Sequence, residues 1–160
     1  MKVLVSGTWR TTLASEQAED ARLLGELLAR HGHELLTGGG EGIPALVAES
    51  YTRAGGKKHT AILVDKAVRD EVGEKRMPAD EYEETTLDYP QRNAYLVSKA
   101  DAIIALNGRF GTLTELIHAV NDYDIPAILL ATGEIKEWVT ALPLKQVIVV
   151  STPQDALNAL

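Results

Sequence analysis

Apolar residues along this chain follow two rhythms that alternate from end to end. Short, nearly continuous runs predict six strands: KVLVS at 2–6, HELLT at 33–37, HTAILV at 59–64, DAIIAL at 101–106, IPAILLA at 125–131 and QVIVV at 146–150. Between them the apolar positions return every three or four residues, the spacing of a helix with one buried face. Residues 15–31 carry Ala21, Leu24, Leu27 and Leu28 in that pattern. IPALVAESYTRA at 43–54 follows, with Pro44 tolerated in a first turn and Gly55-Gly56 as a stop. DYPQRNAYLVSKA at 88–100 predicts a helix capped by Asp88 or Tyr89, and EIKEWVTAL at 134–142 predicts another. A last helix is started by Thr152, Pro153 and Asp155. The rhythm fails over 66–86, which is charged, contains Gly73 and Pro78, and predicts an exposed excursion with some helix.

Strands that are apolar at every position, not at alternate ones, are covered on both faces, and helices between them act as crossovers. The expected fold is therefore α/β: a single doubly wound, Rossmann-like domain over 1–160, with a mostly parallel sheet of about six strands. No repeat, low-complexity tract or linker divides it.

Composition narrows the function classes. The chain has no cysteine, which removes disulfides, thiolate metal sites and thiol nucleophiles and fits a reducing, cytoplasmic setting. Its four histidines, His31, His33, His59 and His118, are scattered and read as ordinary surface or edge residues, so no metal site is expected. No run of about eighteen apolar residues predicts a membrane span, and MKVLVSG is too short and too soon polar for a signal peptide. A formal net charge of −7, concentrated in DEVGEKRMPADEYEETTLD at 70–88, argues against a nucleic acid polymer as partner, because that needs a broad basic footprint. A small anion held at one place remains compatible.

In a doubly wound sheet, ligands bind at the strand carboxyl ends, near the point where strand order reverses. With the six strands ordered 3-2-1-4-5-6, the loops after the first, second and fourth lie side by side. They are GTWRTT with Gly7 and Thr8, TGGGEG with Gly38, Gly39, Gly40 and Gly42, and NGRFGT with Gly108, Arg109, Gly111 and Thr112. Glycine lets an anion approach the backbone, and the free N–H groups of a helix start supply donors and partial positive charge. Neither glycine loop fits G-x-G-x-x-G, and GGGEGI lacks the Walker A lysine, so NAD binding and NTP hydrolysis lose support.

Two residues pose sharper questions. Thr112 followed three positions later by Glu115 has the form of a capping box, which satisfies the free donors of a helix start. Glu115 also lies off the stripe Leu113, Leu116, Ile117 and Val120, and helical side chains lean toward the N-terminus, so its carboxylate can equally reach the cleft. Local sequence leaves both readings open. Arg92 places a cation in the first turn of a helix, against the dipole by a few tenths to about 1 kcal/mol. Asp88 or an anion in the cleft would offset it.

Together these residues resemble the LOG (Lonely guy) family, in its short bacterial and archaeal branch that includes molybdenum cofactor carrier proteins. That pattern is a glycine turn after the second strand, an arginine helix, and P-G-G-x-G-T-x-x-E after the fourth. TGGGEGI, YPQRNAYLVSKADAIIAL with its Arg92-Asn93 pair, and NGRFGTLTE match the three elements in order over essentially the whole chain. The resemblance implies a nucleotide site. Gly108–Thr112 would hold phosphate, Asn93 would line the ligand, and Arg92 and Glu115 would be catalytic in hydrolysing a nucleoside 5'-monophosphate to free base and ribose 5-phosphate. It implies no cofactor and a homodimer or higher homo-oligomer. The alternative is a non-catalytic carrier or sensor of a nucleotide or a pterin such as the molybdenum cofactor. The chain departs from the pattern at Asn107 in place of proline and Arg109 in place of glycine. It also has Pro44 where methionine is usual, and Val64-Asp65 lacks the usual proline.

Overall fold

The continuous apolar runs divide their side chains between two cores. In the first strand Val3 and Val5 pack into one cluster and Leu4 into the other, and Leu35 and Leu36 split in the same way. So do Ile104 with Leu106 against Ile103 with Ala105, and Ile128 with Leu130 against Ala127 with Leu129. Successive strand side chains point to opposite faces, so a strand covered on both sides has no polar position to alternate.

The computed structural model describes residues 1–131, 134–142, 144 and 146–160, Glu134 by its backbone alone. The strands are β1 (Lys2–Gly7), β2 (Glu34–Thr37), β3 (His59–Leu63), β4 (Glu81–Glu84), β5 (Ala102–Leu106), β6 (Ala127–Leu130) and β7 (Val147–Val150). The helices are α1 (Ser15–Arg30), α2 (Ile43–Arg53), α3 (Lys66–Val72), α4 (Tyr89–Ser98), α5 (Phe110–Asn121), α6 (Glu134–Ala141) and α7 (Pro153–Asn158). All the strand pairs are parallel, in the order β4-β3-β2-β1-β5-β6-β7. Helices α1, α2 and α7 cover one face, and α4, α5 and α6 the other.

The expected Rossmann-like α/β order holds, with one strand more than the six predicted. Strand β4, EYEE, lies inside the 66–86 segment and pairs with β3 from Thr60↔Glu81 to Leu63↔Glu84. As an edge strand it has one neighbour and no face to bury, so its residues are exposed or half-buried and carry no apolar signal. Helix α3 fills the start of that segment. Asp65, in place of the family proline, caps it by accepting from the Ala67 N–H at 2.8 Å.

Strand order turns back between β1 and β5, the two strands from which the chain winds outward in opposite directions. Their carboxyl ends, with those of β2 and β3, frame the cleft described next.

Candidate functional site

Four loops meet at that edge and enclose a cleft of about 440 Å³. The β1–α1 loop contributes Gly7, Thr8, Trp9 and Arg10, and the β2–α2 loop Gly38, Gly40 and Glu41. The start of α5 contributes Arg109, Gly111 and Thr112. Helix α4 supplies Tyr89, Arg92 and Asn93, and the stretch after α3 supplies Gly73 and Glu74. Glu115 and Ser6 line the floor.

Two of the helices that border the cleft, α4 and α5, start in different ways. Helix α4 has a complete capping box: Asp88 accepts from the Gln91 N–H at 2.9 Å, and the Gln91 side chain accepts from the Asp88 N–H at 3.2 Å. Helix α5 has none. It begins at Phe110, so Thr112 sits within its first turn, and no side chain caps it. Of the two readings open for Thr112 and Glu115, the capping box is therefore not the one formed. The Glu115 carboxylate turns inward, accepting a short hydrogen bond from the Ser6 hydroxyl at the end of β1. With its amide nitrogen turned toward them, Asn93 donates to Glu115 Oε1 at 3.2 Å and to the Tyr89 carbonyl at 3.1 Å.

Glu115 is 7% exposed. Burial raises its pKa, against the opposing effects of the Ser6 hydrogen bond and the charges of Arg92 and His118. Arg92 is 8% exposed and, among the described residues, forms no ion pair with Asp88 or another acid, its hydrogen bonds going to main-chain carbonyls. Its Nη1 donates to the Gly38 carbonyl at 3.1 Å and the Ile62 carbonyl at 3.2 Å, while its buried Nε finds no partner among the described residues. Its guanidinium carbon stands 5.7 Å from the centre of the Tyr89 ring. The arginine thus ties α4 to β2 and β3. A Cβ on Gly38 would lie 2.1 Å from Nη1, so only glycine leaves room for that tie.

The turn before α5 explains both departures from the family motif. Asn107 has φ +50, a value closed to proline, and its Oδ1 accepts from the Gly108 N–H at 2.7 Å. Gly108 follows at φ +125. Arg109, in contrast, has φ −137, which any residue adopts, and its exposed side chain borders the cleft.

Not every predicted residue reaches the cleft. Gly39 packs toward Leu63, Gly42 faces the main chain of residues 8–10, and Gly108 is buried beneath Thr112. These three shape the loops. Sequence reading passed over Ser6, Trp9, Glu41, Glu74 and Tyr89. Ser6 ends an apolar strand, where a lone hydroxyl is a weak signal, and Glu74 lies in the illegible segment. The surface reading of the histidines fails at His59, which is 2% exposed on an interior strand. Its Nε2 meets Thr37 Oγ1 at 2.9 Å, and burial lowers its pKa to about 4. Among the described residues no group of three His, Asp or Glu side chains is placed to hold a metal ion, and no helix is long and apolar enough to cross a membrane.

Fold and cleft together define a Rossmann-like α/β protein with its pocket at the strand carboxyl ends. The chain belongs to the SLOG cluster4 family, whose model matches residues 1–157, in agreement with the LOG-like motifs. It is similar to an uncharacterized protein of Archaeoglobus fulgidus, 26% identical over 136 residues that cover 84% of this chain and 79% of that one. Among solved structures it is similar to the molybdenum cofactor binding protein of Rippkaea orientalis, with 26% identity and a TM-score of 0.82 over 98% of this chain and 93% of that one. It is also similar to the molybdenum cofactor carrier protein of Chlamydomonas reinhardtii, with 25% identity and a TM-score of 0.82 over 99% and 93%.

Proposed function

We propose that the cleft binds a nucleotide or nucleotide-like phosphomonoester and hydrolyses its N-glycosidic bond. One observation carries this reading: the uncapped start of α5 and the buried Glu115 carboxylate open into the same pocket. The first backbone N–H groups of α5 point donors and partial positive charge at a phosphate, and Arg109 and Arg10 add cationic side chains at that end. Glu115 then lies one helical turn further in, beside the sugar.

Cleavage builds positive charge at the anomeric carbon as the C–N bond lengthens. Glu115, ionised, stabilises that charge and takes a proton from the water that adds there, and the base leaves with a proton from solvent or the same acid. Arg92 holds substrate oxygens with the donors that its carbonyl partners leave free. Ser6 and Asn93 fix the carboxylate for this task.

A second reading, a carrier or sensor without turnover, is favoured by the likeness to two molybdenum cofactor proteins and by the altered Asn107–Arg109 turn. The test is to incubate the protein with a panel of nucleoside monophosphates and assay ribose 5-phosphate. Product that disappears with Glu115→Gln supports hydrolysis. Saturable binding without product selects the carrier reading, and neither binding nor product overturns both.

A further inference from the structure

The loop charges at the two ends of the cleft differ in sign. Arg10 and Arg109 stand at the β1 and β5 end, while Glu41 and Glu74 stand at the β2 and β3 end. Along the sheet, β5 stands two to three strand spacings, roughly 10–14 Å, from the β2 and β3 end where Glu74 lines the cleft. That is the reach of a nucleoside monophosphate from its phosphorus to the far edge of its base. Glu115 with Ser6 occupies the middle of this span, and the Arg92 guanidinium lies toward its β2 and β3 end, bonded to Gly38 and Ile62.

The far end is built to accept hydrogen bonds. Glu74 Oε2 accepts from the Tyr89 hydroxyl at 2.6 Å, which anchors that oxygen of the carboxylate. Its Oε1 overhangs Gly40, 2.4 Å from where a Cβ would stand, and has no donor among the described residues. Burial and this hydrogen bond raise the Tyr89 pKa, so the phenol stays protonated and goes on donating. A carboxylate held this way has acceptor capacity on both oxygens for two adjacent N–H groups.

We propose that Glu74, positioned by Tyr89, selects ligands with a 2-amino-4-oxopyrimidine edge, the paired ring N–H and exocyclic amine shared by guanine and pterins. This rests on the phosphate and sugar placement above, and it deepens that reading by naming the ring chemistry. A hypoxanthine lacks the amine and a xanthine replaces it with oxygen, so both leave one carboxylate oxygen unpaired or opposed.

The experiment is calorimetric titration with GMP, IMP, XMP, neopterin monophosphate and ribose 5-phosphate, with free ribose 5-phosphate assayed in the nucleotide samples so that turnover is seen. GMP or neopterin monophosphate is expected to bind about tenfold or more tightly than IMP and XMP. The tighter of the first two tells whether the edge arrives on a nucleotide or on a pterin. Glu74→Gln is expected to bring GMP and IMP within about twofold while ribose 5-phosphate affinity stays unchanged, and Tyr89→Phe to narrow the gap part way. A merely structural Glu74 would change all affinities together and leave the ratio intact, which overturns the proposal. Ribose 5-phosphate binding with no discrimination among the bases overturns this inference alone. No binding of any of the five overturns the underlying nucleotide site as well.

Discussion

Helices α4 and α5 begin with the same sequence formula and use it for opposite ends. Asp88-x-x-Gln91 closes on itself: each side chain satisfies a backbone donor of the other, and the helix start is finished. Thr112-x-x-Glu115 stays open. Its helix starts two residues before Thr112, the threonine hydroxyl makes no hydrogen bond among the described residues, and the glutamate is drawn away to Ser6 and Asn93. An orphaned helix start facing a pocket is an electrostatic resource, and a capped one is only a stable end. The contrast supports placing the anion end of the proposed site at α5 and not at α4.

The strongest way to break the contrast is Glu115→Gln. If Glu115 serves chemistry, turnover falls by about a hundredfold or more, in the range of a lost acid–base group. Stability should move the other way. Burial raises this carboxyl above its ordinary value of 4.5, so the folded state favours the neutral form. The stability it contributes is complete below the unfolded value and is lost as pH rises through the folded one. Glutamine does not ionise, so the variant gains on the wild type as pH rises above 4.5, as measured by urea denaturation at a series of pH values. A cap would give neither effect: glutamine can close a capping box as Gln91 does in α4, so stability would stay nearly unchanged at every pH, with unchanged turnover.

Next in size is Gly108→Ala. At φ +125 any side chain is strained, and a Cβ would lie 2.2 Å from Thr112 Oγ1, so the turn must shift. The expected cost is about 1–3 kcal/mol in denaturant unfolding, with ribose 5-phosphate affinity falling further than stability accounts for. A variant that unfolds earlier but binds normally would detach this turn from the phosphate end.

How much of this was legible in the sequence follows from where burial acts. Strands β1, β2, β3, β5, β6 and β7 are buried on both faces or run against such strands, so continuous apolar runs betray them. From their order the loops after β1, β2 and β5 fall together. Strand β4 buries nothing and was invisible, and with it the placement of Glu74 beside Tyr89. Arg92 stood out as a cation in a helix's first turn, but its partners are carbonyls of Gly38 and Ile62, which no side-chain pattern encodes. The capping formula at Thr112 left two readings open for a related reason. The motif describes what a helix start can do locally, and Ser6, more than a hundred residues earlier, competes for the same carboxylate. His59 was missed because a histidine opening a strand looks like an edge residue, whereas β3 lies between β2 and β4 and the ring is buried against Thr37 of β2.

The smallest effect gives the cleanest comparison. Asp88→Ala removes the acceptor for the Gln91 N–H and should cost about 1 kcal/mol of unfolding free energy. Ligand affinity should stay within about twofold, because Arg92 is held from the other side by two carbonyls, and their hydrogen bonds do not pass through the cap. Thr112→Val is the mirror experiment. It keeps the side-chain shape at a position 5% exposed and removes a hydroxyl that holds nothing within the described fold. Stability should change little, while affinity for ribose 5-phosphate drops about fivefold, the worth of one hydrogen bond of about 1 kcal/mol. If both variants lose stability and neither loses affinity, the two helix starts are equivalent after all, and the open end of α5 is not where the anion sits.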